Sequence, residues 1–212
     1  MKTKTKDMDD SDAEETHGLS MDEFHVAVSK QSKLDRVLST MVAEAAAGGE
    51  SGRKSIVFCH YRREMTQLRD MLLRSGGGCG SEEDIAIIDG TVGQRERARI
   101  FAAAPTVLIL QIRTCSEGLN LQSYSDVYFV SPHWNPCVED QAIARCYRMG
   151  QTKGVRVFRF YMSDFVVEEV DSVVSDEAAS AVVEECISTL DHKCEEIQER
   201  KRVLCNEFLC GV

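Results

Sequence analysis

At 212 residues, with 43% hydrophobic residues and only 3 prolines, the chain is long enough for one domain with a real core plus a helical appendage, and its composition argues against wholesale disorder. No apolar run approaches the roughly 20 residues of a membrane span, and the charged opening MKTKTKDMDD is not a secretory signal, so no membrane partner and an intracellular site are expected. The net charge of −10 speaks against a nucleic-acid partner until its distribution is read: residues 51–161 carry 15 Lys and Arg against 11 Asp and Glu, a mildly basic centre between acidic ends.

Residues 1–20 are rich in Lys, Asp and Glu with little to bury, and read as a disordered tail. From Lys33, the positions Leu34, Val37, Leu38, Met41 and Val42 recur at helical spacing and predict a helix closed by Gly48-Gly49. Four short, nearly continuous apolar runs follow: SIVFC (55–59), IAIID (85–89), TVLILQI (106–112) and DVYFV (126–130). Strands buried on both faces read this way, as they do in parallel sheets. Helical stretches lie between them at 62–74, 94–103 and 136–149, and the alternation predicts an α/β fold whose parallel sheet is covered on both sides. VRVFRF (155–160) follows as a candidate edge strand. The glycine-rich SGGGCGSEED (75–84) is a surface loop; it follows no strand and precedes no GK[ST], so it is not a phosphate loop.

After Met162 the chain turns acidic. Val183, Cys186, Ile187, Leu190, Cys194, Ile197, Leu204 and Phe208 then share one stripe, predicting a helix of about 30 residues that packs back on the sheet or serves a partner. The 9 cysteines are odd in number and include no CxxC pair, which favours reduced thiols over disulfides or a zinc site, so no metal ligands are assigned.

DQAIARCYRMGQ (140–151) carries the chemistry. Asn135 and Pro136 suit an N-cap and first helical position, and Gly150 a C-terminal cap, so a helix over 136–149 is expected. Its packing stripe would be Val138, Ala142, Cys146 and Met149. Gln141, Arg145 and Arg148 would then lie side by side at the margin of the packed surface. Two guanidinium groups held there suit an oxyanion such as phosphate, which they meet with parallel hydrogen bonds.

WNPCVEDQAIARCYRMGQ (134–151) resembles the WNP…QAxxRxxRxGQ signature of the sucrose-nonfermenting type of ATP-dependent DNA translocases in helicase superfamily two. VLILQIRTCSEGLNLQ (107–122) is similar to motif V of that family, SIVFCHYRREM (55–65) to its motif IV, IIDGTVGQRERARIF (87–101) to the strand, turn and helix that follow, and QSKLDRVL (31–38) to its lead-in helix. The residues do not spell the HRxGRxxR of the RNA-helicase branch. The resemblance spans roughly 30–162 and implies a three-layer RecA-like lobe, the second of a two-lobe motor, with 163–212 as an acidic linker and C-terminal helix. It implies that ATP and Mg2+ are bound mainly by an N-terminal lobe in cis or trans, toward which Arg145 and Arg148 reach as arginine fingers, with Gln141, Gly150, Gln151, Glu117 and Gly118 about the cleft. It further implies double-stranded DNA, with chromatin or repair proteins, as partners, and a nuclear location in a eukaryote.

For DNA, the resemblance points to His60 and Arg62 after the motif IV strand, Arg113, Thr114 and Asn120 in motif V, and Trp134. His60 is also read as a turn residue, and Trp134 as a core anchor in preference to a base-stacking platform. Cys115 and Ser116 stand where the family has a Gly-Gly pair, which puts the loop's grip on DNA in question. No GxxxxGK[ST] and no DExx-type box follows a strand in this sequence, so ATP hydrolysis by this polypeptide alone is not expected. The alternative is a catalytically inactive DNA- or partner-binding module derived from the same lobe.

Overall fold

The computed structural model describes residues 3–4, 20–28, 32–47, 52–75, 81–117, 119–168 and 184–210. Among these residues, nine strands and five helices are arranged as follows. β1 is Thr3–Lys4, β2 Met21–Val28, α1 Lys33–Ala46, β3 Ser55–Cys59, α2 Arg62–Ser75, β4 Ile85–Ile88, α3 Gln94–Ala103 and β5 Val107–Gln111. β6 Asp126–Phe129, α4 Pro136–Cys146, β7 Val155–Met162, β8 Phe165–Glu168, β9 Glu184–Ile187 and α5 Leu190–Cys210 follow. The main sheet has the order β1-β2-β7-β6-β3-β5-β4; all pairs are parallel except the two-residue β1 against β2.

Each apolar strand divides its side chains between two cores, as the period of two requires. Val57 and Cys59 of β3 and Val107 and Ile109 of β5 meet α1 and α2, through Val37, Met41, Met65 and Leu68. Ile56, Phe58, Leu108 and Leu110 point the other way and meet α4, through Ala142, Ile143 and Cys146, with Ile100 and Phe101 of α3 alongside. Two helices therefore cover each face of a RecA-like sheet, and the continuous apolar runs follow from that double burial.

β7 departs from the expected edge position, because β2 pairs with it along all eight residues, Met21↔Val155 to Val28↔Met162. MDEFHVAV gives a weak strand signal, with two acids and a histidine in eight residues, and its partner lies about 134 residues away in sequence. The sheet therefore takes in residues ahead of the expected boundary at 30. Most of the tail expected over 1–20 lies outside the described residues, as do Gly48-Gly49 and the glycines of the 75–84 loop. The two β7 arginines point to opposite faces, and each is fixed by a helix on its own face. Arg156 bonds Asp126 at 2.8 Å and Glu44 of α1 at 2.8 Å, while Arg159 bonds Glu139 of α4 at 3.1 Å.

The expected 30-residue terminal helix is also corrected. Residues 184–187 form a strand paired antiparallel with 165–168, and α5 spans 21 residues from Leu190. Its buried residues, Asp191, Cys194 and Gln198, lie in its first half, whereas Val203, Leu204 and Phe208 are exposed. Among the described residues, no helix is long and apolar enough to cross a membrane.

Candidate functional site

α4 begins as its sequence dictates. Pro136 takes the first helical position, and the Asn135 side chain accepts the Cys137 amide at 3.2 Å. It ends three residues sooner than the periodicity suggests. The last helical residue is Cys146, and Met149, expected on the packing stripe, is 92% exposed. The buried face is instead Pro136, Glu139, Ala142, Ile143 and Cys146.

Gly150 does not cap the helix. Residues 148–151 form a tight turn closed by Gln151 N donating to Arg148 O at 3.0 Å, and Gly150 supplies the positive φ of 99° that its third position requires. Arg148 thus sits in that turn, beyond the helix face that carries Gln141 and Arg145. Gln141 and Arg148 are exposed and Arg145 is half-buried. Among the described residues, none of the three side chains makes an ion pair.

Motif V residues are brought to this end of α4. The 3-10 turn Ile112–Glu117 packs on the helix, Leu121 N donates to Arg145 O at 3.2 Å, and the Gln122 amide donates to Met149 O. Asn120 is exposed in the same segment, its side-chain oxygen accepting Gln122 N at 3.3 Å. Arg145, Arg148, Gly150 and Asn120 therefore share one locality. Glu117 ends the 3-10 turn with its side chain outside the described residues, and Gly118 lies outside them as well.

Gln151 points inward, not into a cleft. It is 8% exposed; its Nε2 donates to Tyr124 O at 3.1 Å and Cys146 O at 3.3 Å, and its Oε1 accepts Thr152 N at 3.0 Å and Lys153 N at 3.2 Å. One side-chain amide thus makes four hydrogen bonds at this corner. Its contribution to Arg148 is placement through the backbone.

Of the nucleic-acid candidates, His60, Arg62 and Trp134 gather elsewhere. Because β6 and β7 are parallel neighbours, α4 must run back along the sheet, carrying Arg145 about 14 Å from Pro136 at 1.5 Å per residue. His60, Arg62 and Trp134 stay at the carboxyl edge, where parallel sheets present ligand sites. Arg62 is bound to Asp89 at 2.6 Å while its side chain remains 66% exposed. The Thr91 hydroxyl bond to Asp89, ahead of the Arg62 charge, holds that carboxyl below the usual carboxylate range.

His60 is half-buried, with Nε2 3.2 Å from Ser131 O and its ring stacked on His133 at 5.4 Å. Burial lowers its pKa and outweighs the bond to that carbonyl, which raises it, so near neutral pH it is an uncharged turn residue donating from Nε2. Thr114 is 4% exposed and donates its hydroxyl proton to Gln111 O at 2.6 Å, which removes it as a phosphate donor. Arg113 is exposed. Trp134 is 46% exposed and so is no core anchor.

Sequence reasoning passed over Glu139. Its residue is fully buried, and its oxygens accept His133 N at 2.7 Å, Gln198 Nε2 at 2.8 Å and Arg159 Nε at 3.1 Å. Arg159 is in turn bound to Glu23 of β2 at 2.6 Å. The available signal was an acid on the apolar side of α4, one turn after its cap.

The helicase conserved C-terminal domain family matches residues 29–150. DNA repair protein RAD5A of Arabidopsis thaliana is 29% identical over 155 residues, which is 71% of this chain and 14% of that protein. A putative SWI/SNF-related matrix-associated actin-dependent regulator of chromatin, subfamily A member 3-like 1, also of Arabidopsis thaliana, is 29% identical over 148 residues, covering 66% of this chain and 16% of that protein. The chain thus spans about one seventh of the length of these curated relatives. In shape it resembles the crystal structure of the C-terminal part of the Fun30 ATPase domain, with a TM-score of 0.51 and 16% identity over 81% of this chain and 53% of that one. The chain belongs to the helicase conserved C-terminal domain family, as a RecA-like lobe of the sucrose-nonfermenting type.

Proposed function

We propose that the chain is the second motor lobe of an ATP-dependent double-stranded DNA translocase of the chromatin-remodelling or DNA-repair kind, supplying Arg145 and Arg148 to an ATP cleft completed by a first lobe. One observation carries the reading. Arg156 and Arg159 of β7, and Arg53 just ahead of β3, are each neutralised by a carboxylate, whereas Arg145 and Arg148, beside the motif V segment, pair with none among the described residues. The half-buried Arg145 and the exposed Arg148, with no counter-ion among the described residues, suit an external anion.

The donor set fits the phosphate end of a nucleotide and not its metal. Around Arg145 and Arg148 the described side chains are amides and guanidiniums, and Mg2+ needs carboxylate or phosphate oxygens. The bound nucleotide supplies the bond that is cleaved. Arg145, held by the last turn of α4, and Arg148, held by the Gln151-buttressed turn, orient and neutralise phosphoryl oxygens. Such arginines contribute about 10³- to 10⁵-fold in rate in related enzymes. On this reading Arg62, Arg113, Asn120 and Trp134 face the duplex, and binding weakens steeply with salt because phosphates dominate it. The names of the relatives, in DNA repair and chromatin regulation, make the nucleus the expected site of action.

The test is ATP turnover after mixing the chain with a first lobe of the family and duplex DNA. Arg145→Ala or Arg148→Ala is expected to lower kcat by about 10²-fold or more. No turnover with any first lobe, or turnover indifferent to both substitutions, replaces the motor reading with that of an inactive binding module.

A further inference from the structure

We infer that Glu139 is a positioning residue through which α5 holds the arginine-bearing helix in place; the inference rests on the second-lobe reading above. A fully buried carboxylate one turn into a helix is costly unless each of its oxygens is paired, and here three separate elements pair it. His133 N belongs to the loop that launches α4, Arg159 to β7, and Gln198 to α5. Gln198 donates also to His133 O, so one amide of α5 clasps both the loop and the helix. Two outer contacts reinforce the clasp: Lys201 donates to Trp134 O at 2.7 Å and Arg202 to Asp140 at 3.2 Å.

The consequence reaches the candidate cleft because α4 is a single short rod. Arg145 lies six residues beyond Glu139, about 9 Å along the same axis. The far end of α4 contributes its buried face and the Arg145 O contact with Leu121. With the Glu139 end released, the rod can tilt about that remaining support, and a shift of about 1 Å at a reacting geometry costs on the order of 10²-fold in rate. α5 lies outside the candidate cleft yet holds the angle of the helix that enters it.

Two measurements test this. Amide hydrogen exchange on the chain alone, as wild type, Gln198→Met and Glu139→Gln, is expected to show about tenfold or greater acceleration over residues 140–147, with β3 and β5 unchanged. The sole tryptophan, Trp134, reports the same release by a shift in emission. With a first lobe and duplex DNA, Glu139→Gln is expected to lower kcat about 10- to 100-fold with KM for ATP within about twofold, and to add nothing when Arg145 is already Ala. Unchanged exchange in α4 overturns the inference. So do effects of Glu139→Gln and Arg145→Ala that multiply, since a merely structural loss is indifferent to Arg145. If the wild-type mixture shows no turnover, the second-lobe reading fails and the exchange experiment alone decides whether α5 holds α4.

Discussion

Replacing Gln151 by Met keeps the length of the side chain and removes its polar contacts, which separates two roles that the motif leaves merged. Two of the four groups it serves, Tyr124 O and Cys146 O, belong to residues with 2% and 0% exposure. Each orphaned buried carbonyl costs about 1–1.5 kcal/mol, and the Thr152 and Lys153 amides, closer to solvent, about 0.5 kcal/mol each. The sum is about 3–4 kcal/mol, which for a domain of this size lowers Tm by about 6–16 °C. Gln151→Glu is expected to be worse at neutral pH, because a carboxylate oxygen then faces two carbonyl oxygens in place of an N–H donor. Thermal unfolding followed by circular dichroism measures both. A side chain that reaches into the nucleotide cleft predicts the reverse pattern, with Tm held within about 1 °C and ATP turnover lost. Such a result refutes the buttress argument.

Asp126, at 4% exposure, accepts from Arg53 at 2.9 Å and Arg156 at 2.8 Å, so Asp126→Asn is expected to cost about 3 kcal/mol in urea unfolding; a loss under about 1 kcal/mol contradicts the pairing. Ala104 caps α3 in the left-handed region at φ 49°, and Ala104→Gly is expected to stabilise the chain by about 1 kcal/mol, where most glycine substitutions destabilise. The Asp89 carboxyl is lowered on folding, so its contribution to stability is fully present above about pH 4 and disappears as the pH falls through the folded value. Asp89→Asn therefore flattens the acid limb of the stability curve below about pH 4, and an unaltered limb removes Asp89 as its source.

The strands legible in the sequence are those buried on both faces: SIVFC matches β3 residue for residue, and the runs at 85–89, 106–112 and 126–130 contain β4, β5 and β6. Double burial leaves these strands almost entirely apolar, which is a strong signal. β2 escaped because its polar residues, among them Glu23 bound to Arg159, serve distant partners, and local pattern carries no information about a partner in β7. The site divided in the same way. Residue types with an intrinsic chemistry, the guanidiniums of Arg145 and Arg148 and the cap formed by Asn135 and Pro136, were readable where they stand. Direction was not: Gln151 and Thr114 turn inward, Trp134 outward and, because α4 stops at Cys146, Met149 into solvent.

Glu139 marks the boundary between the two kinds of knowledge. Periodicity, caps and residue chemistry act over a few neighbours, so the linear chain by itself dictated the alternation of strand and helix and the doubly covered sheet, and it singled out two arginines for the proposal. Which charges neutralise one another, which amide braces which turn, and how α5 reaches α4 depend on groups 20 to 136 residues apart, such as Arg159 with Glu139 and with Glu23. Their free energy comes from leaving water together, and only the assembled fold brings them close enough for that to occur.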